Sequence, residues 1–260
     1  MASYFGEVLE TSSRAYNEDI NDDELKGAFK SEYEISWESS HRPDEVDLCF
    51  VIAGKCSRAF SAFLRRKTSP QLIAKISQVH KRDDGEYSIV KHGKETFSCI
   101  YMLKTGVYLC EVSPDVQLTH ANIFTAKMHE FLELSKEVIV LASIAAVQYL
   151  SLNTNDAPFI KGLGNSKYLT SGKELLAPKM EPPNLVTGVA AAVLMFCELK
   201  KISGCLYVCY TLREEFDSEV FDLLKKLFSQ VQSLESAVTG LKYEGSDSEC
   251  FPHRAGNLYL

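Results

Sequence analysis

Residues 181–211 read EPPNLVTGVAAAVLMFCELKKISGCLYVCYT, and this stretch decides the fold class. Its first half spaces apolar residues by three and four, which predicts a helix after the N-cap Asn184 that ends before Ser203-Gly204. The predicted inner face of this helix comprises Leu185, Val186, Val189, Ala190, Val193, Leu194 and Cys197. Residues 205–210 are apolar throughout, which predicts an internal strand covered by helices on both sides. The stretch therefore predicts a layered α/β core.

Strands and helices alternate along the rest of the chain. Strands are predicted at 46–53, 97–103, 107–112 and 137–144, and helices at 57–66, 120–134 and 217–238. The first helix is expected to turn Phe60, Phe63 and Leu64 inward, the second to carry Ile123 on its apolar face, and the third to begin at the N-cap Asp217. Residues 69–79 fit either type of element, and residues 153–179 are predicted to be loop with a short helix near Phe159-Ile160. Together with a hairpin at 97–112, this alternation predicts a mixed, mainly parallel central sheet between helices in a three-layer α/β/α fold.

The charge distribution divides the chain into an acidic extension and a nearly neutral body. Residues 1–45 hold twelve Asp and Glu against four Lys and Arg, whereas the other 215 residues hold 23 against 24. We predict a largely flexible extension at 1–45, an α/β domain at 46–240 and a tail at 241–260. Within the extension, Tyr33, Ile35 and Trp37 alternate with polar residues, which predicts a short edge strand.

Composition disfavours several functional classes. Neither part of the chain carries the basic stripe that binds nucleic acid, and no apolar run reaches the length of a membrane span. The start of the sequence lacks the pattern of a secretory signal, so the predicted compartment is the cytosol, with the nucleus and the endoplasmic reticulum surface left open.

No pattern of catalytic or metal-binding residues is found in the sequence. The eight cysteines form no Cys-x-x-Cys pair, and we interpret them as reduced core residues. Gly162-Leu163-Gly164 and Ser171-Gly172-Lys173 lack the spacing of dinucleotide and phosphate motifs, so they are interpreted as loop glycines. The six histidines are scattered, and His129 is expected on a helix surface. We therefore predict neither cofactor nor metal.

The candidate binding residues are the last three, Leu258, Tyr259 and Leu260. They place a hydrophobic residue and a tyrosine before a carboxylate. Such a carboxylate can pair with a lysine in a pocket, while the tyrosine buries its ring and its hydroxyl finds a partner. The alternative is a frayed terminus with no role, because such an ending also arises by chance.

Blocks of sequence along most of residues 46–260, and at the extreme N-terminus, resemble the proteasome assembly chaperone 1 family in order and spacing. The blocks are Phe5-Gly6-Glu7-Val8, Ala53-Gly54, Ala59-Phe60, Tyr101, Leu103-Lys104, Tyr108-Leu109-Cys110, Ala157-Pro158-Phe159-Ile160, Pro183-Asn184-Leu185-Val186, Ala191-Ala192-Val193-Leu194, Leu206-Tyr207-Val208-Cys209-Tyr210-Thr211 and Asn257-Leu258-Tyr259. The acidic linker and residues 81–94 match poorly.

The resemblance implies a chaperone without enzymatic activity that pairs with proteasome assembly chaperone 2. It implies that this heterodimer sits on the outer face of the 20S alpha ring, promotes ring assembly, and blocks premature regulator docking and off-pathway ring dimers. Leu258, Tyr259 and Leu260 would then enter a pocket between neighbouring alpha subunits. The alternative from the fold class alone is an α/β enzyme acting on a nucleoside or a small ester, which predicts a deep polar pocket at the strand ends.

Overall fold

A single mixed sheet organises the computed structural model, which describes residues 32–38, 42–81, 87–89, 97–151, 156–212 and 216–243. Its strands are β1 Glu32–Trp37, β2 Val46–Ala53, β3 Gln71–Lys81, β4 Tyr87–Ile89, β5 Phe97–Lys104, β6 Val107–Glu111, β7 Ser135–Ala145, β8 Phe159–Gly164 and β9 Ser203–Thr211. Their order is β1-β3-β5-β6-β2-β7-β9-β8, and β4 pairs with β3. The edge position of β1 confirms the strand predicted around Tyr33, Ile35 and Trp37. The division at residues 45 and 240 stays a prediction.

The sheet is mixed, as predicted, but the expectation that it is mainly parallel is wrong. Strands β6, β2, β7 and β9 are parallel neighbours, whereas the five other described pairings are antiparallel. Much of the difference comes from β3, whose apolar residues Leu72, Ile73, Ile76 and Val79 also fit a helical period. These residues form a strand rather than a helix, and β3 pairs with β5 to extend the antiparallel β5–β6 hairpin.

Helices cover both faces of the sheet, which confirms the three-layer α/β/α arrangement. They are α1 Lys55–Thr68, α2 Ala121–Lys127, α3 His129–Glu133, α4 Ser166–Thr170, α5 Gly188–Lys200, α6 Ser218–Phe228 and α7 Glu235–Val238. Buried side chains of α1, α6 and α7 form one core with one face of the sheet, and those of α2, α3 and α5 form the other. The predicted inward residues Phe60, Phe63 and Leu64 of α1 are buried.

The stretch that predicted the fold forms α5 and β9, with different boundaries. The N-cap of α5 is Thr187 rather than Asn184, because the amide of Asn184 bonds both the N–H and the C=O of Leu150, at 2.7 and 2.8 Å. The helix ends at Lys201 in the left-handed conformation, with φ 56°. Strand β9 already begins at Ser203, and all nine of its residues are buried. The predicted internal strand is therefore confirmed.

Two other predicted elements differ from the structure. The helix predicted at 120–134 is divided at Met128 into α2 and α3, and Ile123, expected to face inward, is 45% exposed. The segment at Phe159-Ile160 is the edge strand β8 rather than a helix in a loop. Gly162 is therefore a strand glycine, and a Cβ there would lie 3.3 Å from the ring of Tyr207.

The last long helix, α6, begins as predicted but ends earlier. The side chain of Asp217 accepts a 2.9 Å hydrogen bond from the N–H of Val220, which confirms the predicted N-cap. The helix stops at Phe228, and the rest of the predicted span holds a turn and α7.

Replacing this N-cap should weaken the fold moderately. Asp217→Ala removes the acceptor for the Val220 N–H, so we expect the free energy of unfolding to fall by about 1 kcal/mol. Asp222→Ala is the matched control, because Asp222 lies exposed within the same helix and caps nothing. Urea unfolding followed by circular dichroism would compare the two variants. Equal stability of both would contradict the capping role.

Candidate protein-interaction site

The predicted binding residues Leu258, Tyr259 and Leu260 lie outside the described residues. The described chain ends at Tyr243, whose ring lies 6.1 Å from that of Phe63 and 5.6 Å from that of Phe221, measured between centroids. Nearby, Lys225 donates a 2.6 Å hydrogen bond to the C=O of Leu241. The predicted tail therefore departs from a fixed point on the helical layer formed by α1 and α6. This anchor was not predicted, because the segment after Gly240 shows no periodicity.

A second surface, also missed from the sequence, is the outward face of α5. Helical spacing puts Gly188, Ala191, Ala192, Met195 and Leu199 on one side of this helix, opposite the buried Val189, Val193 and Cys197. The side chain of Leu118 continues this side, since its Cδ2 would lie 3.0 Å from a Cβ placed on Gly188. We call these six residues the α5 stripe: Leu118, Gly188, Ala191, Ala192, Met195 and Leu199.

The large members of the α5 stripe are exposed. Leu118 is 70% exposed, Met195 60% and Leu199 72%. Leu185, which was predicted to face the core, is 83% exposed just before the helix. Periodicity cannot find this surface, because α5 is apolar on its inner and outer sides alike.

The charged groups beside the α5 stripe already have partners within the chain. On one side, Lys200 Nζ lies 2.7 Å from Glu133 Oε1. On the other, a carboxylate oxygen of Glu198 accepts a 2.8 Å hydrogen bond from the N–H of Ser166. Hydrogen bonding to the Ser166 side chain and to this N–H lowers the pKa of Glu198. An apolar centre with satisfied polar groups at its border is the usual composition of a protein-protein contact.

The carboxyl ends of the parallel strands are where an α/β enzyme would hold its site. A cavity of about 300 Å³ opens there, lined by Ala157, Pro158, Thr211, Leu212 and the first turn of α6. Its two carboxylates are Glu219 and the capping Asp217. This lining does not match the converging titratable groups that the enzyme alternative predicts.

A buried carboxylate lies at the end of β6. Glu111 is 5% exposed, receives a 2.8 Å hydrogen bond from Arg65 Nε and bonds the hydroxyl of Ser61. Ser61 is itself fully buried. A serine beside a carboxylate resembles an activated nucleophile, but burial keeps a substrate from this hydroxyl, so the cluster reads as an internal ion pair.

The cysteines behave as core residues where they are described. Six of the seven described thiols are buried, Cys99 is half-buried, and Cys250 lies outside the described residues. Burial raises the pKa of Cys197, Cys205 and Cys209 to about 12, so these thiols stay neutral. Since the thiolate is the reactive and metal-binding form, these cysteines contribute packing rather than chemistry. Within the described ranges, no group of three or more His, Cys, Asp and Glu could hold a metal ion.

The described helices are also too short or too polar to cross a membrane. His129, expected on a helix surface, is exposed at the start of α3. Its ring Nδ1 lies 2.8 Å from the C=O of Ala126, which is a local contact within the helical segment.

Sequence comparison decides the family. The family model described as proteasome assembly chaperone 4 matches residues 1–240. The chain belongs to this proteasome assembly chaperone family. The match stops short of the last twenty residues, so it does not include Leu258, Tyr259 or Leu260.

Curated relatives extend over nearly the whole chain and confirm the resemblance found in the sequence. Proteasome assembly chaperone 1 of Danio rerio is 28% identical, with 92% of this chain and 93% of the relative aligned. The Homo sapiens protein of the same name is 25% identical, with 92% of each chain aligned. These relatives support a role in proteasome assembly.

Solved structures of two archaeal proteins share the fold. Pyrococcus furiosus PbaA, an archaeal homologue of proteasome assembly chaperone, aligns with a TM-score of 0.59 at 14% identity over 81% of this chain and 85% of its own. Pyrococcus furiosus PbaB, an archaeal proteasome activator, aligns with a TM-score of 0.52 at 14% identity over 82% and 91%. At this identity the likeness concerns the fold alone.

Proposed function

We propose that the chain is one subunit of a heterodimer with proteasome assembly chaperone 2 that promotes assembly of the 20S alpha ring. The observation that carries this proposal is the alignment, over more than nine tenths of both chains, with relatives named proteasome assembly chaperone 1. On the alpha ring, the heterodimer would block premature docking of regulators and the formation of ring dimers. The proposed compartment is the cytosol, with the nucleus and the endoplasmic reticulum surface as further sites.

In this proposal the tail docks between neighbouring alpha subunits. Leu258 and Tyr259 bury apolar surface, and the carboxylate of Leu260 pairs with a lysine of the pocket. The anchoring of Tyr243 against α1 and α6 supports this role, because the tail then leaves a rigid body at a defined position.

The energetics explain why such a tail would work as part of a dimer. A charged hydrogen bond contributes about 1.5–3 kcal/mol, and burial of a large apolar side chain adds roughly as much. Ordering the tail costs part of this gain, so the isolated peptide binds weakly. A second contact from the paired subunit raises the effective concentration of the tail at its pocket and converts weak binding into stable docking.

We also propose that the chain acts without catalysis. In the cavity at the strand ends, the carboxylate of Asp217 is engaged as the N-cap of α6, and the buried thiols of Cys205 and Cys209 are held neutral. Both features favour a binding role over the nucleoside- or ester-directed enzyme.

Removal of residues 258–260 tests the tail. We expect the affinity of the heterodimer for alpha rings to fall at least about tenfold, since a net loss of 1.4 kcal/mol corresponds to that factor. The full heterodimer would be titrated against purified alpha rings, with binding measured by interferometry. Asn257→Ala is the matched control, because it alters the same segment and retains Leu258, Tyr259 and the carboxylate.

The outcomes separate the parts of the proposal. Unchanged ring affinity after the deletion would contradict tail docking while leaving the chaperone role intact. Failure of the unaltered heterodimer to bind alpha rings would contradict the chaperone role itself. Loss of pairing between the two subunits on deletion would also contradict the tail role, because the proposed contact is with the ring.

A further inference from the structure

The α5 stripe is apolar, yet its large side chains are not buried by any described residue. A helix that is apolar on all sides is normally buried on all sides, yet no described residue covers Met195 or Leu199, which are 60% and 72% exposed. The stripe carries no charged side chain, and Lys200 and Glu198 beside it are already bonded to Glu133 and to the N–H of Ser166. A partner on this surface must therefore be apolar at its centre.

The exposed area suits a subunit interface. Leu150 and Leu185 extend the surface at the N-terminal end of α5, where Leu150 is held by Asn184, and they are 58% and 83% exposed. A fully exposed large apolar side chain contributes roughly 60–120 Å² of apolar area. On that scale, these two residues together with Leu118, Met195 and Leu199 expose on the order of 300 Å² of apolar area. One side of a standard interface buries about 800 Å², of which about 450 Å² is apolar. The surface supplies most of that apolar share.

The shape of the α5 stripe specifies how a partner fits. The N-terminal half presents Gly188, Ala191 and Ala192, whereas the C-terminal half presents Met195 and Leu199. A second helix with the same arrangement of large and small residues could pack antiparallel to α5. Its large side chains would lie over the small residues of α5, and its small residues would lie against Met195 and Leu199. Close helix packing of this kind needs an alternation of large and small residues across the contact.

We propose that the α5 stripe holds the paired chaperone subunit, which presents an apolar helix of the same fold in antiparallel orientation. This inference rests on the proposed heterodimer and identifies its contact surface on this chain. The surface is distinct from the predicted tail, which departs from Tyr243 on the opposite helical layer. Pairing and ring docking therefore use separate parts of the chain.

Met195→Glu tests the proposal by placing a charge at the centre of the contact. We expect the dissociation constant of the heterodimer to rise at least about 30-fold, as for a residue at the core of an interface. The control is Leu212→Glu, because Leu212 is 77% exposed and lies outside the α5 stripe. Both full-length variants would be titrated with the purified partner subunit by calorimetry. Circular dichroism would check that the isolated variants fold, which the exposure of both positions favours.

A photo-reactive residue at position 195 supplies a second readout that does not depend on a destabilising change. Irradiation of the pair that carries this one replacement should crosslink the two subunits, and mass spectrometry should locate the product on a helix of the partner. Crosslinks to a second copy of this chain, to residues 1–31 or 244–260, or to an alpha subunit would overturn the assignment, as would unchanged affinity of Met195→Glu. If the unaltered subunits fail to pair at all, the proposed heterodimer and this surface are both overturned.

Discussion

Gly54→Ala should lower the free energy of unfolding by about 3–4 kcal/mol, from backbone strain and a steric contact together. Gly54 joins β2 to α1 with φ 95° and ψ 158°, a conformation that is essentially confined to glycine. A Cβ at this position would lie 2.5 Å from the hydroxyl of Ser143 and 3.0 Å from its backbone N and O. Because Ser143 belongs to β7 in the centre of the sheet, the strand cannot move aside without disturbing both cores. Urea unfolding followed by circular dichroism would measure the loss.

Gly172→Ala separates the two causes. Gly172 also has a positive φ, 76°, but a Cβ there meets nothing within 4 Å. Its replacement should cost only about 1 kcal/mol, the price of the left-handed conformation alone. If the two variants lose equal stability, the contact between position 54 and Ser143 does not constrain the turn.

Phe228→Ala should destabilise the protein by about 3–5 kcal/mol, the usual range for removing a fully buried aromatic side chain. The ring of Phe228 is 0% exposed, and its centroid lies 4.8 Å from that of Phe50, 5.8 Å from Phe60 and 6.3 Å from Tyr207. It thus connects α6 with β2, α1 and β9. Thermal and urea unfolding of the full chain would give the change.

The matched control is Phe216→Ala. Phe216 makes ring contacts of its own with Phe63, Phe221 and Tyr243, but it is only half-buried, so truncation forfeits less apolar burial. We expect a loss of about 1–2 kcal/mol, in proportion to the smaller area removed from water. If Phe216→Ala lowers the free energy of unfolding as much as Phe228→Ala, the degree of burial does not determine how much each aromatic side chain contributes to stability.

Sequence reasoning succeeds where one signal dominates. Strand β2 matches the predicted span because the residues from Leu48 to Ala53 are all apolar and Gly54 ends it. The β5–β6 hairpin follows from Gly106, and the start of α6 follows from Asp217. The hydrophobic pattern is ambiguous at β3, because its apolar spacing fits both a helix and a strand. At β8, the glycines that suggested a loop instead let the strand approach Tyr207 closely.

The candidate site is less accessible to sequence reasoning than the fold. Leu258, Tyr259 and Leu260 were suggested by residue type and by family resemblance. Periodicity did not suggest them, and their role stays a prediction. The α5 stripe lies outside the predicted inner face of its helix, and its exposure was not predicted, because a hydrophobic pattern reports the need for cover and not which molecule supplies it. Tyr243 was missed because a single aromatic residue in an aperiodic segment gives no local signal of its contacts.

The packing of Tyr243 fixes one end of the C-terminal segment, so the reach of that segment can be calculated. Tyr259 follows it by 16 residues, and a fully extended chain of that length spans at most about 58 Å. Wherever the ring of Tyr259 binds, its pocket must lie within that radius of the α1–α6 surface. In the proposed docking on the alpha ring, this radius would limit which of the repeated pockets one chaperone can reach, so selection among similar pockets would depend on geometry as well as affinity.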